Sequence, residues 1–117
     1  MRKAEIKRKT KETNIALSLN LDGEGKSSIS TPFGMLTHML EQISKHASVD
    51  LNIKVEGDTE TGSHHVVEDT AIVLGEAFDK ALGDRAGIER MADSTVPLDE
   101  SLSMVAIDLA GRGYHSV

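Results

Sequence analysis

The sequence predicts an α+β domain in which helices pack on one face of a mainly antiparallel sheet. Three observations carry that expectation. Residues 14–21 and 49–55 alternate apolar and polar side chains, the period-two signature of strands with one buried face. Residues 33–47 and 64–82 instead bring apolar residues back every three or four positions, the spacing of helices. Turn chemistry separates these stretches, at Asp22-Gly23-Glu24-Gly25 and again over 57–62.

Each element follows from its residues. The basic run Arg2-Lys3 with Lys7-Arg8-Lys9 and Lys11 reads as a solvated edge strand kept soluble by its charges, rather than as a nucleic-acid footprint. Ile15, Leu17, Leu19 and Leu21 form the buried face of the first core strand. Residues 26–30 are expected to return as the second arm of a hairpin, with Ile29 as their apolar residue. Thr31 then caps a helix whose first position is Pro32, and Phe33, Leu36, Leu40, Ile43 and Ala47 mark its buried stripe. Val49, Leu51, Ile53 and Val55 make a strand. A second helix opens at Ser63 and runs through Val67, Ala71, Leu74, Phe78 and Leu82 to a stop at Gly83. A short helical turn over 88–91 and a strand over 98–109 complete the pattern.

Bulk properties bound the function. At 117 residues the chain is one domain at most, with a core of Leu, Ile, Val, Ala and Met because only 3% of residues are aromatic. A net charge of −6 from 13 basic and 19 acidic residues argues against nucleic-acid binding. Without cysteine there is neither a disulfide framework nor a thiolate zinc site, so histidine and carboxylate must hold any metal. No apolar run is of membrane-spanning length and no signal peptide is visible, which makes the cytoplasm the expected location.

The last strand repeats the first. Residues 12–25 align with 100–113, matching Glu12 with Glu100, Leu21 with Leu109, Gly23 with Gly111 and Gly25 with Gly113. Leu17 and Leu19 fall on Val105 and Ile107. The expectation is a tandem duplication divided as 1–93 and 94–117. Residue 117 matches Ile29 of the first copy, so the second copy is expected to be truncated before its first helix.

Chemistry concentrates in Ser63-His64-His65-Val66-Val67-Glu68-Asp69-Thr70. On a helix, Glu68 lies beside both His65 and His64, three and four residues away. The two imidazoles diverge by about a quarter turn, poorly placed to chelate one ion and well placed to serve two. Such a donor set suits Mn, Fe, Co, Ni or Zn. The plainer alternative is a helix start with Ser63 as cap and the acids favoured by the dipole. Elsewhere, His38 fits the edge of the first helix's buried stripe, and His46 fits its C-terminal dipole. Glu12 could be a solvated charge. Arg90 and Arg112 suit either phosphate or solvent.

Taken together, Glu12-Thr13, His38-Met39-Leu40, Lys45-His46, the run from His64 to Ile72, Leu74-Gly75-Glu76-Ala77, Ala81-Leu82-Gly83-Asp84, Val96-Pro97-Leu98-Asp99-Glu100 and Asp108-Leu109-Ala110-Gly111-Arg112 resemble imidazoleglycerol-phosphate dehydratase of histidine biosynthesis. The resemblance implies a fold like the second domain of ribosomal protein S5, in two similar halves. It implies dehydration of D-erythro-imidazole-glycerol phosphate to imidazole-acetol phosphate with Mn(II). His38, His64, His65 and Glu68 would be metal ligands, with the two adjacent histidines on different ions. Glu12, His38, His46, His64, His65, Glu68, Arg90 and Arg112 would contact substrate, the arginines through phosphate. Glu68 and Glu12 would be the catalytic carboxylates, Glu12 as general base. The resemblance also implies a homo-oligomer of twenty-four subunits, with sites built from more than one of them. A truncated, non-catalytic metal-binding or assembly half is the alternative. Three places depart from the family's usual pattern: Thr37 stands for an aspartate, Thr61-Gly62-Ser63 for acids ahead of the histidine pair, and Gly113 for a proline.

Overall fold

The computed structural model describes all 117 residues, which form two compact units, Met1–Gly83 and Asp84–Val117. The first unit contains strands β1 (Lys3–Lys9), β2 (Thr13–Asn20) and β3 (Ser27–Ser30), helix α1 (Gly34–Ala47), strand β4 (Asp50–Gly57) and helix α2 (His64–Leu82). Its sheet has the order β1-β2-β4-β3. α2 lies across β1, β2 and β4, while α1 covers β3 and β4. Ile15, Leu17, Leu19, Leu51, Ile53 and Val55 point into the core, and Asn14, Ala16, Ser18, Asn52 and Lys54 face outward. The fold is the expected α+β arrangement, and the basic strand β1 occupies an edge.

The expected hairpin does not form. β3 runs parallel to β4 rather than antiparallel to β2, because β4 takes the inner edge of β2. Their eight residues match in antiparallel register and pair Ile15 with Val55, Leu17 with Ile53 and Leu19 with Leu51. A four-residue strand with one apolar side chain cannot compete for that edge. Instead the chain turns at Gly23–Gly25, where Asp50 Oδ1 accepts the N–H of both Glu24 and Lys26 at 2.9 Å, and crosses through α1.

Helix boundaries and faces also differ from expectation. α1 begins at Gly34 with Phe33 in the cap position, so Pro32 is outside it. The Thr31 hydroxyl organises the preceding turn, accepting the Phe33 N–H at 3.1 Å and donating to the Phe33 carbonyl at 2.8 Å. On α1, Leu40 and Ser44 are buried whereas Ile43 and Ala47 are exposed. On α2 the buried line is Val66, Thr70, Val73, Ala77 and Ala81, one position ahead of the expected stripe. Small and β-branched residues let that face lie close to the sheet, and the bulkier Leu74 and Phe78 flank it half-buried.

The second unit is a hairpin of β5 (Met91–Leu98) and β6 (Ser101–Asp108). No helical turn forms over 88–91; Met91 opens a strand, and the expected strand over 98–109 is interrupted by the Asp99-Glu100 turn, where Asp99 takes a φ of 51°. The hairpin copies β1–β2. A constant offset carries the pair Lys3 and Asn20 to Met91 and Asp108, and the pair Lys9 and Asn14 to Pro97 and Leu102. Even the closing bonds correspond: the Leu21 N–H donates to the Arg2 carbonyl and the Leu109 N–H to that of Arg90, both at 2.9 Å.

The copies differ in burial, since Leu17 is 4% exposed and its counterpart Val105 55%. Leu17→Ala should therefore lower unfolding free energy by about 2–5 kcal/mol, and Val105→Ala should change it by less than about 0.5 kcal/mol, read from urea titrations. Hydrogen bonds from Arg2 hold the Asp22 carboxyl down to about 2, with its guanidinium 2.8 Å from Oδ1. A depressed carboxyl contributes stability above its unfolded value near pH 4, and loses it as pH falls towards 2. Arg2→Ala should raise the Asp22 midpoint part of the way towards the ordinary range in a carboxyl NMR titration, the backbone N–H of residue 2 still donating to Oδ2.

Candidate functional site

The chemistry-bearing residues gather where α2 begins. Ser63 precedes the helix but its hydroxyl caps nothing; its carbonyl accepts the Val67 N–H at 2.9 Å. His64 is exposed, with Nε2 at 3.0 Å from Glu68 Oε2. His65 is turned elsewhere. Its Nδ1 lies 3.5 Å from Asp58 Oδ2, and its ring meets that of His64 at 69° with centroids 5.4 Å apart. Glu68 thus pairs with His64 alone, and the imidazoles face different carboxylates. Asp58 is held below the ordinary carboxyl range, chiefly by the Glu60 N–H and then by His65 and Thr61.

The turn between β1 and β2 meets this end of α2. The Glu12 carbonyl accepts the Asp58 N–H at 2.7 Å, and its carboxylate accepts from the Thr10 hydroxyl at 3.2 Å. Next to it, the buried Thr13 hydroxyl donates to Asp69 Oδ2 at 2.5 Å, and Arg8 stands 3.7 Å from Oδ1. A short hydroxyl–carboxylate bond of this kind is strong and directional. It joins the neighbour of Glu12 to the neighbour of Glu68.

The remaining candidates are placed separately. His38 is exposed midway along α1, and His46 is exposed in its last turn with Nε2 at 2.9 Å from Gln42 Oε1. In the second unit, Arg90 grips Asp108 through two hydrogen bonds at 2.6 and 3.0 Å. Arg112 lines an open recess of about 750 Å³ with Asp108, Tyr114 and His115. Asp58 escaped the sequence reading because it lies seven residues before His65, beyond any helical spacing rule. Its one signal was an Asp closing a strand ahead of a Thr/Gly loop.

The donor types suit manganese, since imidazole and carboxylate combine in mixed sites for hard and borderline ions. A 3.0 Å separation of His64 Nε2 and Glu68 Oε2 fits neighbouring positions on an octahedral ion with bonds of about 2.1 Å. No group of three histidine, aspartate or glutamate donors converges within the chain. Within one chain the pair His64–Glu68 brings two such donors together.

These features define a class: a small α+β domain with diverging imidazole and carboxylate donors at one end of its sheet. Its family follows from comparison. The chain belongs to the imidazoleglycerol-phosphate dehydratase family, whose sequence pattern matches residues 31–117. It is 55% identical over 113 residues to imidazoleglycerol-phosphate dehydratase of Dehalococcoides mccartyi, covering 97% of this chain and 56% of that protein. It is 54% identical over 114 residues to the enzyme of that name from Xanthobacter autotrophicus, covering 97% and 58%. A crystal structure of the Staphylococcus aureus imidazoleglycerol-phosphate dehydratase superimposes with a TM-score of 0.82 at 32% identity, over 96% of this chain and 60% of that one. The chain thus spans a little over half the length of the relatives it matches.

Thr13→Val keeps the side chain's shape and removes its hydroxyl. The buried Asp69 carboxylate would keep only Arg8, and unfolding free energy should fall by about 1–3 kcal/mol. Urea unfolding checks the loss, and Thr13→Ser should restore most of it.

Proposed function

We propose that the chain carries part of the site of a manganese-dependent dehydratase that converts D-erythro-imidazole-glycerol phosphate to imidazole-acetol phosphate in histidine biosynthesis. The observation that carries the reading is the His64–Glu68 contact of 3.0 Å on the opening turn of α2, in a chain of this family. His64, His65, Glu68 and His38 are the proposed metal ligands. When bound, Mn(II) supplies a positive charge that favours the deprotonated imidazole ring of the substrate and orients it.

The chain's own residues have defined tasks in this proposal. Glu12, in the turn that meets the start of α2, takes the carbon-bound proton as general base. The neighbouring hydroxyl leaves as water with a proton, and the resulting enol becomes the ketone. His46 contacts substrate from the end of α1. Arg90 and Arg112 bind phosphate, and Asp108 already holds the Arg90 fork in place. In this proposal, donors beyond the His64–Glu68 pair come from other parts of a cytoplasmic homo-oligomer, of twenty-four subunits by the family resemblance.

A non-catalytic metal-binding or assembly module is the second reading. Turnover of imidazole-glycerol phosphate by the 117-residue chain with added Mn(II) separates the two. Turnover abolished by His65→Ala supports the dehydratase. Manganese bound with substrate unchanged supports the module. In either case Glu68→Gln should weaken Mn(II) binding by roughly 10–100-fold with the helix content unchanged, and unaltered affinity would remove Glu68 from the ligands.

A further inference from the structure

Asp58 is held on three sides in the loop between β4 and α2. Its N–H donates to the Glu12 carbonyl at 2.7 Å, and its Oδ1 accepts the Glu60 N–H at 2.8 Å. Just ahead, a Cβ on Gly57 would stand 2.8 Å from Val66 Cγ2 and 3.0 Å from Thr13 Cγ2. The missing side chain is what lets the loop press against the first turn of α2. With its backbone and one oxygen fixed, Asp58 turns Oδ2 towards His65 Nδ1, 3.5 Å away and within ion-pair reach. Thr61 closes a triangle, its hydroxyl 3.3 Å from the same Oδ2 and 3.5 Å from the same Nδ1.

The protons in this triangle follow from the groups. An ionised carboxylate only accepts, so a nitrogen facing it carries hydrogen. The Thr61 hydroxyl spends its single proton on Asp58 and offers Nδ1 a lone pair, which makes the same demand. Both neighbours therefore stabilise the Nδ1–H form of His65 and leave the lone pair on Nε2.

We infer that Asp58, supported by Thr61, is a positioning residue that locks His65 as its Nδ1–H tautomer and so makes Nε2 the ligating nitrogen. The purpose of the lock rests on the proposed metal site; the lock itself rests on the triangle. Long-range proton–nitrogen correlation NMR of the ¹⁵N-labelled, metal-free 117-residue chain, at mildly alkaline pH, reads the tautomer directly. The wild-type chain should show His65 protonated on Nδ1. Asp58→Ala should move the proton towards Nε2, and so should Asp58→Asn, whose single oxygen stays on the Glu60 N–H and turns its NH2 donor towards Nδ1. An unchanged backbone amide spectrum shows that the fold survives.

Titration with Mn(II), followed by the EPR signal of the free ion, should show affinity reduced roughly 10–100-fold in both Asp58→Ala and Asp58→Asn. A wild-type His65 protonated on Nε2, or an Asp58→Ala chain that keeps Nδ1–H, would overturn the inference. If the wild-type chain takes up no manganese, the metal-site reading fails, and the tautomer spectra alone decide the role of Asp58.

Discussion

The buried contact between Asp69, Thr13 and Arg8 is the constraint on which the architecture of this end of the molecule depends. A carboxylate that is only 9% exposed is costly unless its charge is matched and its lone pairs are used. The Thr13 hydroxyl and the Arg8 guanidinium meet that need from two strands at once. α2 therefore cannot slide or rotate over the sheet without abandoning a buried charge. Its first turns are fixed to the strands β1 and β2.

That fixed angle explains how the helix presents its chemistry. Asp69 and Thr70 point inwards with Val66 and Val73, so the face carrying His64 and Glu68 turns outwards into solvent. Adjacent residues on a helix diverge by about a hundred degrees, and the surroundings separate the two imidazoles further. Glu68, four residues on, reaches His64. The loop after β4, drawn close by Gly57, brings Asp58 to His65. Glu12 joins the same end through its carbonyl bond to Asp58.

The repeated hairpin separates local pattern from tertiary context. β1–β2 and β5–β6 share register and closing hydrogen bonds, and both alternate apolar residues. In the first, α2 covers one face while β4 extends the sheet beside β2, and Ile15, Leu17 and Leu19 are buried. In the second, Val105 and Ile107 stand exposed. Pairing and register come from the two strands themselves, whereas burial comes from what packs on them.

By itself the sequence determined the α+β class, the edge position of the basic strand, the alternating core of β2 and β4, and the His-His-x-x-Glu run with its family. Each depends on neighbours within a few residues or on a run specific enough to identify its relatives. Only the tertiary structure decided that β3 runs parallel to β4, because edges are won by the longer and more apolar partner. It also decided that the buried line of α2 passes through Val66 and Thr70 rather than Val67 and Ala71. Helical spacing allows either line, and the Thr13–Asp69 bond, between residues 56 positions apart, favours one. The partner of His65 was hidden for the same reason: Asp58 reaches it through a loop reversal, and no spacing rule counts across a turn.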